Sequence, residues 1–238
     1  MNTGKNIIEQ FLTAINKMVK EHDGPITIGI EGGEGSGKGT LIGNLVKRLR
    51  AEGYTVAQTR EPGGTNIGEQ IRSVIVSEKN IEMCTMTEAY LFAACRAQLL
   101  NELIRPHMAA KDVDFIILDR YVYSSYVYQG MARDDGDYET VKKINEMATG
   151  GWYPDITIYL DIEPERGLQR IADNNREVNR LDKEAMSFHH KVHNGYLSLV
   201  EEYAGTDICF KKVNADQTPE EVLADVIQTI AENTDKLV

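Results

Sequence analysis

The sequence predicts a three-layer α/β fold built on a five-stranded parallel sheet. Three observations carry that expectation. Short apolar, β-branched runs alternate with segments of helical periodicity along the chain. The first run, 26–31, opens into a glycine-dense loop and then a helical pattern. A later run, Phe115-Ile116-Ile117-Leu118, ends in the carboxylate of Asp119. Strands that alternate with helices form right-handed βαβ crossovers, which make the sheet parallel and lay helices on both faces.

Composition bounds the rest. At 238 residues the chain can bury one full core, and 42% hydrophobic with 26% charged residues is ordinary for a globular domain. A net charge of −11 speaks against a polyanion-binding surface, so no nucleic-acid partner is expected. No apolar run is long enough for a membrane helix, and the N-terminus lacks the apolar block of a signal peptide. Cys84, Cys95 and Cys209 stand at unrelated spacings, which fits free thiols in a reducing compartment, hence a cytoplasmic location.

In chain order, residues 5–21 repeat Ile7, Ile8, Phe11, Leu12, Ile15, Met18 and Val19 at helical spacing, and Asp23-Gly24-Pro25 ends that helix. It fits a helix packed on the domain's outer surface. Residues 26–31 are the first strand and 37–52 the first helix after it. Between them Gly32, Gly33, Gly35 and Gly37 permit positive φ and close backbone approach, so successive N–H groups can converge on an anion. The following helix adds the positive end of its dipole, and Lys38 adds a point charge for phosphate oxygens. Gly39 stands where a magnesium-ligating hydroxyl is expected, and Thr40 follows one residue later. A metal ion there is held through water or reached by Thr40 from another direction.

Strand 55–60 ends in the turn Arg60-Glu61-Pro62-Gly63-Gly64-Thr65, and residues 66–78 are helical, carrying Arg72. Ligands of open α/β sheets sit beyond the carboxyl ends of strands, so this turn and the glycine loop should share one crevice. Residues 85–109 read as one long helix closed near Pro106. On it Phe92 and Arg96 share a face, suited to a planar base; the spacing equally fits a core phenylalanine beside a surface arginine.

Strand 115–119 delivers Asp119 to the same edge, and Arg120 follows. The stretch 121–130 is crowded with hydroxyls, useful at a sugar-phosphate site or simply for packing. Helix 138–148 leads to strand 156–161, which ends in Asp161, and Pro164 starts the next helix. Residues 170–184 hold Arg170, Arg176 and Arg180 around Asn174-Asn175, as a lid or a solvated connector would. Helix 184–203 carries His189 and His193 at i and i+4, a permitted metal pair lacking a third ligand, or a surface or interface pair. Strand 208–215 and helix 219–232 complete the chain.

Several motifs together resemble the thymidylate kinase family of P-loop nucleoside monophosphate kinases. They are Thr59 to Thr65 (TREPGGT), Leu91 to Arg96 (LFAACR), Asp119-Arg120-Tyr121 with Ser124, Ser125, Tyr128 and Gln129, Pro154 to Asp161, and Asn214-Ala215-Asp216 before Pro219-Glu220. The resemblance covers residues 26 to about 232. It implies a P-loop NTPase fold over 25–238, a lid at about 170–184, and a helical extension, 1–24, outside the family core. The implied reaction is phosphorylation of dTMP to dTDP by ATP and Mg²⁺, on a homodimer.

Residue by residue, the resemblance implies that Gly32, Gly33, Glu34, Gly35, Ser36, Gly37, Lys38, Gly39 and Thr40 hold the ATP phosphates. Phe92 stacks on thymine, Arg96 donates to its O4 and Gln129 meets the base edge. Arg72 and Arg120 clamp the dTMP phosphate, with Glu34, Arg60, Pro62, Ser124, Ser125 and Tyr128 lining the nucleotide site. Tyr128 stands where the family screens out a ribose 2′-hydroxyl. Lys38, Asp119, Arg120 and the lid arginines Arg176 and Arg180 are the implied catalytic set. Thr40 and Asp119 are the implied metal contacts, the latter through water. A GTPase switch would need N-K-x-D and D-x-x-G, and neither occurs. A non-catalytic phosphate-binding module or a kinase of another nucleoside monophosphate are the remaining alternatives.

Overall fold

The computed structural model describes residues 3–173 and 180–237, with side chains from Phe11 onward. Five parallel strands form one sheet: β1 (Ile26–Gly32), β2 (Val56–Arg60), β3 (Phe115–Asp119), β4 (Ile156–Asp161) and β5 (Phe210–Asn214), in the order β2-β3-β1-β4-β5. The runs predicted as strands are these strands, within a residue or two at each end. β1, β3 and β4 are buried almost throughout, as expected of strands covered on both faces.

The register lines up the carboxyl ends. Ile30 and Arg60 both stand beside Asp119, and Asp161 beside Asn214. The loops after β1, β2 and β3 therefore leave the sheet at one edge.

Helices α1 (Thr3–Glu21), α2 (Lys38–Ala51) and α10 (Pro219–Glu232) cover one face. Helices α4 (Thr85–Leu99), α5 (Arg105–Ala110), α6 (Val122–Ser125), α7 (Tyr138–Thr149) and α9 (Met186–Glu202) pack across the other, with α3 (Asn66–Ile75) against α4, and α8 (Pro164–Asp173) against α9. The N-terminal helix shares the main core: Phe11, Ile15 and Met18 are buried in the same cluster as Val226, Ile230 and Leu237. Tyr54 donates to Asn16 at 2.8 Å, and Lys17 pairs with Asp235.

Two elements differ from expectation. The helix expected over 85–109 changes to π register at Leu100–Ile104 before α5. Pro106 has no N–H to donate, so the α ladder cannot run through it unbroken. The hydroxyl-rich stretch after Asp119 is helical, as α6 and a π turn over Tyr126–Ala132. Tyr123, Tyr126 and Val127 are fully buried there, so tertiary burial of aromatic rings sets this segment.

Candidate active site

A cleft of about 730 Å³ opens at the carboxyl edge of β1, β2 and β3. The glycine loop forms its floor at one end. Gly35 and Gly37 hold φ of 70° and 88°, which side-chain-bearing residues rarely adopt. A Cβ on Gly35 would also lie 1.9 Å from the carbonyl oxygen of Gly167, so only glycine lets the loop meet α8. Ser36 donates to the Gly33 carbonyl at 2.9 Å. Lys38 folds back over the loop, donating to the carbonyls of Gly32 (2.9 Å) and Gly33 (3.0 Å). Desolvation pushes its ammonium down to about 8, and the nearby Arg120 cation adds to the shift. An incoming phosphate would exchange those neutral carbonyls for anionic oxygens.

Thr40 lies in the first turn of α2 and Asp119 ends β3; both line the cleft beside the loop. They are hard oxygen donors of the type Mg²⁺ takes, alongside phosphate and water. Among the described residues no three His, Cys, Asp or Glu side chains group as a metal site. His193 pairs with Asp161 at 2.8 Å rather than forming a metal pair with His189. Beyond Gly39 a side chain would meet open space, so a hydroxyl there is missing by sequence and not by crowding.

The opposite wall carries Arg60, Pro62, Arg72 and Arg120. Arg60 and Arg72 both donate to the Pro62 carbonyl, at 3.1 and 3.0 Å, and Glu69 holds Arg60 with two further bonds. Arg120 adopts φ of 71°, and its guanidinium reaches Glu34 (2.9 Å), Ser124 (3.1 Å), Tyr128 (3.3 Å) and Tyr196 (3.4 Å). Tyr128 also donates to Glu34 at 2.9 Å, so Glu34 joins the glycine loop to this wall.

Beneath lies Glu31, fully buried, which sequence reasoning missed. It accepts from the Tyr121 and Ser124 amides and from the Ser124 and Tyr196 hydroxyls. This holds the turn that aims Arg120. Its only signal in the sequence is an acid closing an apolar strand.

Phe92 lines the cleft, but its predicted partners stand behind the wall. Arg96 is fully buried, and its five N–H groups have five acceptors. These are two oxygens of Glu61, Ser125 Oγ, Asn145 Oδ1 and the Tyr121 carbonyl. Arg96 thus forms a buried pair with Glu61, and in this structure none of its N–H groups is left open to a base. Burial pushes the Glu61 carboxyl up to about 7, against the pull of Arg96. Ser125 and Gln129 are likewise buried. Gln129 donates to Glu88 at 2.7 Å, while its Oε1 has no partner among the described residues.

The lid expectation divides. Arg176 lies outside the described residues. Arg180 does not point at the phosphate loop; it donates to Glu88 and to the Ile75 carbonyl at 3.2 Å, near the Phe92 end. In this structure Arg180 is therefore engaged at the Phe92 end of the cleft. The pull comes from Glu88, a buried carboxylate that sequence reasoning also missed, one helical turn before Phe92.

The thymidylate kinase family model matches residues 30–226. The chain is 48% identical to a thymidylate kinase of Clostridium novyi, over 84% of this chain and 95% of the relative. It is 44% identical to one of Geobacillus sp. WCH70, over 84% and 93%, and 44% identical to one of Bacillus velezensis, over 88% and 97%.

Proposed function

The chain belongs to the thymidylate kinase family, and from that premise we propose how its cleft carries the reaction. The protein is a dTMP kinase: it transfers the γ-phosphoryl group of ATP to dTMP, forming dTDP and ADP. The observation that carries the residue assignment is the meeting of Lys38 and the loop amides with Arg72 and Arg120 in one cleft.

Two polyanions must approach for transfer, and their repulsion is a large part of the barrier. The loop amides and Lys38 hold the ATP phosphates at the α2 N-terminus. Arg72 and Arg120 hold the dTMP phosphate in line behind the γ-phosphorus, and Glu31 fixes the turn under Arg120. Thr40 and Asp119, which line the cleft beside the loop, would hold Mg²⁺, and that ion when bound would supply charge neutralisation for the transferring group. No strong general base is required. Arg176 supplies the lid cation at the phosphates, while Arg180 closes the base end.

Phe92 stacks on the base. Gln129 presents an unpartnered buried acceptor, the complement of the N3–H of thymine. Arg96 can donate to a base oxygen only by releasing an acceptor, and Ser125 Oγ is a neutral one. Ser124 and Tyr128, through Arg120 and Glu34, shape the sugar-phosphate side.

The protein works as a homodimer in the cytoplasm. Ile67 and Val74 on α3, Tyr90 on α4 and Met147 on α7 are exposed apolar side chains on helices that pack in series, the composition of a subunit interface. Sedimentation at micromolar concentration should give twice the 26.7 kDa chain mass; a monomer contradicts that part. No described helix is long and apolar enough to cross a membrane.

The test is coupled ADP release with ATP and Mg²⁺, offering dTMP, dUMP, dCMP, dGMP and AMP. A clear preference for dTMP is expected. Preferred turnover of a purine monophosphate would overturn the base-end assignment.

A further inference from the structure

Glu88 is a buried carboxylate, 1% exposed, that gathers three donors. Arg133 reaches it at 3.1 Å, the amide nitrogen of Gln129 at 2.7 Å, and Arg180 donates to it as well. The structure leaves this hub without a part in the transfer chemistry. It lies one turn before Phe92 on α4, behind the cleft wall that Phe92 lines.

We propose that Glu88 is a specificity-positioning residue, which fixes the orientation of the Gln129 amide and so selects bases that carry an N3–H. The inference rests on the reading that Gln129 meets the base edge. A glutamine side chain can present either its oxygen or its NH₂ group by rotating half a turn. A carboxylate paired with two guanidinium groups only accepts, so Gln129 must turn its NH₂ toward Glu88. Its Oε1 is then held away from Glu88, buried and without a partner among the described residues. A buried acceptor left unpaired is costly, and a base N3–H relieves it.

Thymine and uracil carry a hydrogen at N3. Cytosine carries a lone pair there, which would face the Gln129 oxygen lone pair to lone pair. Glu88 thus separates dTMP from dCMP, and it does not separate dTMP from dUMP. Arg133 and Arg180 act on Glu88 itself. Arg133 is anchored in turn by Glu184 at 2.6 Å and stacked 4.7 Å from the Phe188 ring. The carboxylate therefore has little freedom to turn away.

The experiment compares kcat/KM for dTMP and dCMP in the wild type, Glu88→Gln and Gln129→Leu. A glutamine at 88 can offer either a donor or an acceptor, so Gln129 is free to rotate. The dTMP/dCMP ratio should fall by at least about tenfold in Glu88→Gln, with the ATP KM unchanged. A parallel loss with both substrates, at constant ratio, would mean that Glu88 serves folding alone and overturns the proposal. Gln129→Leu separates the role of Gln129 from that of Glu88. If it lowers the ratio and Glu88→Gln does not, Gln129 reads the base without Glu88. If it leaves the ratio unchanged, the reading of Gln129 at the base edge fails as well.

Should Glu88→Gln not fold, the wild type reports the same contact by NMR. The Gln129 side-chain amide protons should stay protected from solvent exchange when dTMP binds. Loss of that protection on binding contradicts the fixed orientation.

Discussion

At the phosphate end of the cleft, the ligand-facing groups are backbone amides and one lysine from a single run, Gly32 to Thr40. At the base end Phe92 faces the cleft, backed by buried side chains from segments far apart in sequence. Glu61 and Arg96 are 35 residues apart, Glu88 and Gln129 41, Glu88 and Arg180 92. At the phosphate end Lys38 rests on neutral carbonyls it can release. At the base end the cations are already paired, Arg96 with Glu61 and Arg180 with Glu88. A phosphate needs only converging N–H groups, which a glycine loop supplies locally. A base needs donors and acceptors held in fixed directions, and those directions require a second layer of buried partners.

Substitutions can break this contrast. The largest effect is expected from Arg96→Met, which leaves Glu61 as a buried carboxylate without its partner. Stability should fall by about 3–5 kcal/mol in denaturant unfolding. A loss below about 1 kcal/mol would show that the base end does not depend on its buried pair. Lys38→Met should leave the fold intact and lower kcat by about 10²–10³-fold. Phe92→Ala should raise the dTMP KM by about 10- to 100-fold, with the ATP KM little changed. Equal rises in both would merge the two ends.

Two pH effects sharpen the contrast. Lys38 in the free protein has its ammonium lowered to about 8 by desolvation first and Arg120 second. Above that pH it is neutral, and ATP must bind with uptake of a proton. The ATP KM should then rise toward about tenfold per pH unit, while the dTMP KM does not follow. The smallest effect lies away from both ends. His22 is raised to about 8, chiefly by its hydrogen bond to Asp155. A raised histidine stabilises fully below its unfolded value near 6.5, and that contribution is lost as pH rises through 8. Chemical denaturation at pH 6 and pH 9 should show a decline of about 1 kcal/mol that His22→Gln removes.

Legibility in the sequence follows the same division. The parallel sheet, the glycine loop and the edge shared by Arg60, Asp119 and Lys38 rest on local patterns, and the structure reproduces them. Phe92 on the cleft wall was readable from its motif. Glu31, Glu61 and Glu88 were not readable as hubs, because an acid in an apolar strand or on a helix does not announce its buried partners. Arg96 and Arg180 have chemistry that suits a ligand, and in this structure these carboxylates hold them, which no local pattern foretold. The helical form of 122–132 escaped because ring packing, not periodicity, sets it.

The two ends bind their substrates through separate groups, and calorimetric titration of Lys38→Met with each nucleotide alone tests this. ATP affinity should drop at least about tenfold while the dTMP Kd stays within about twofold of wild type. Parallel loss of both affinities would contradict it.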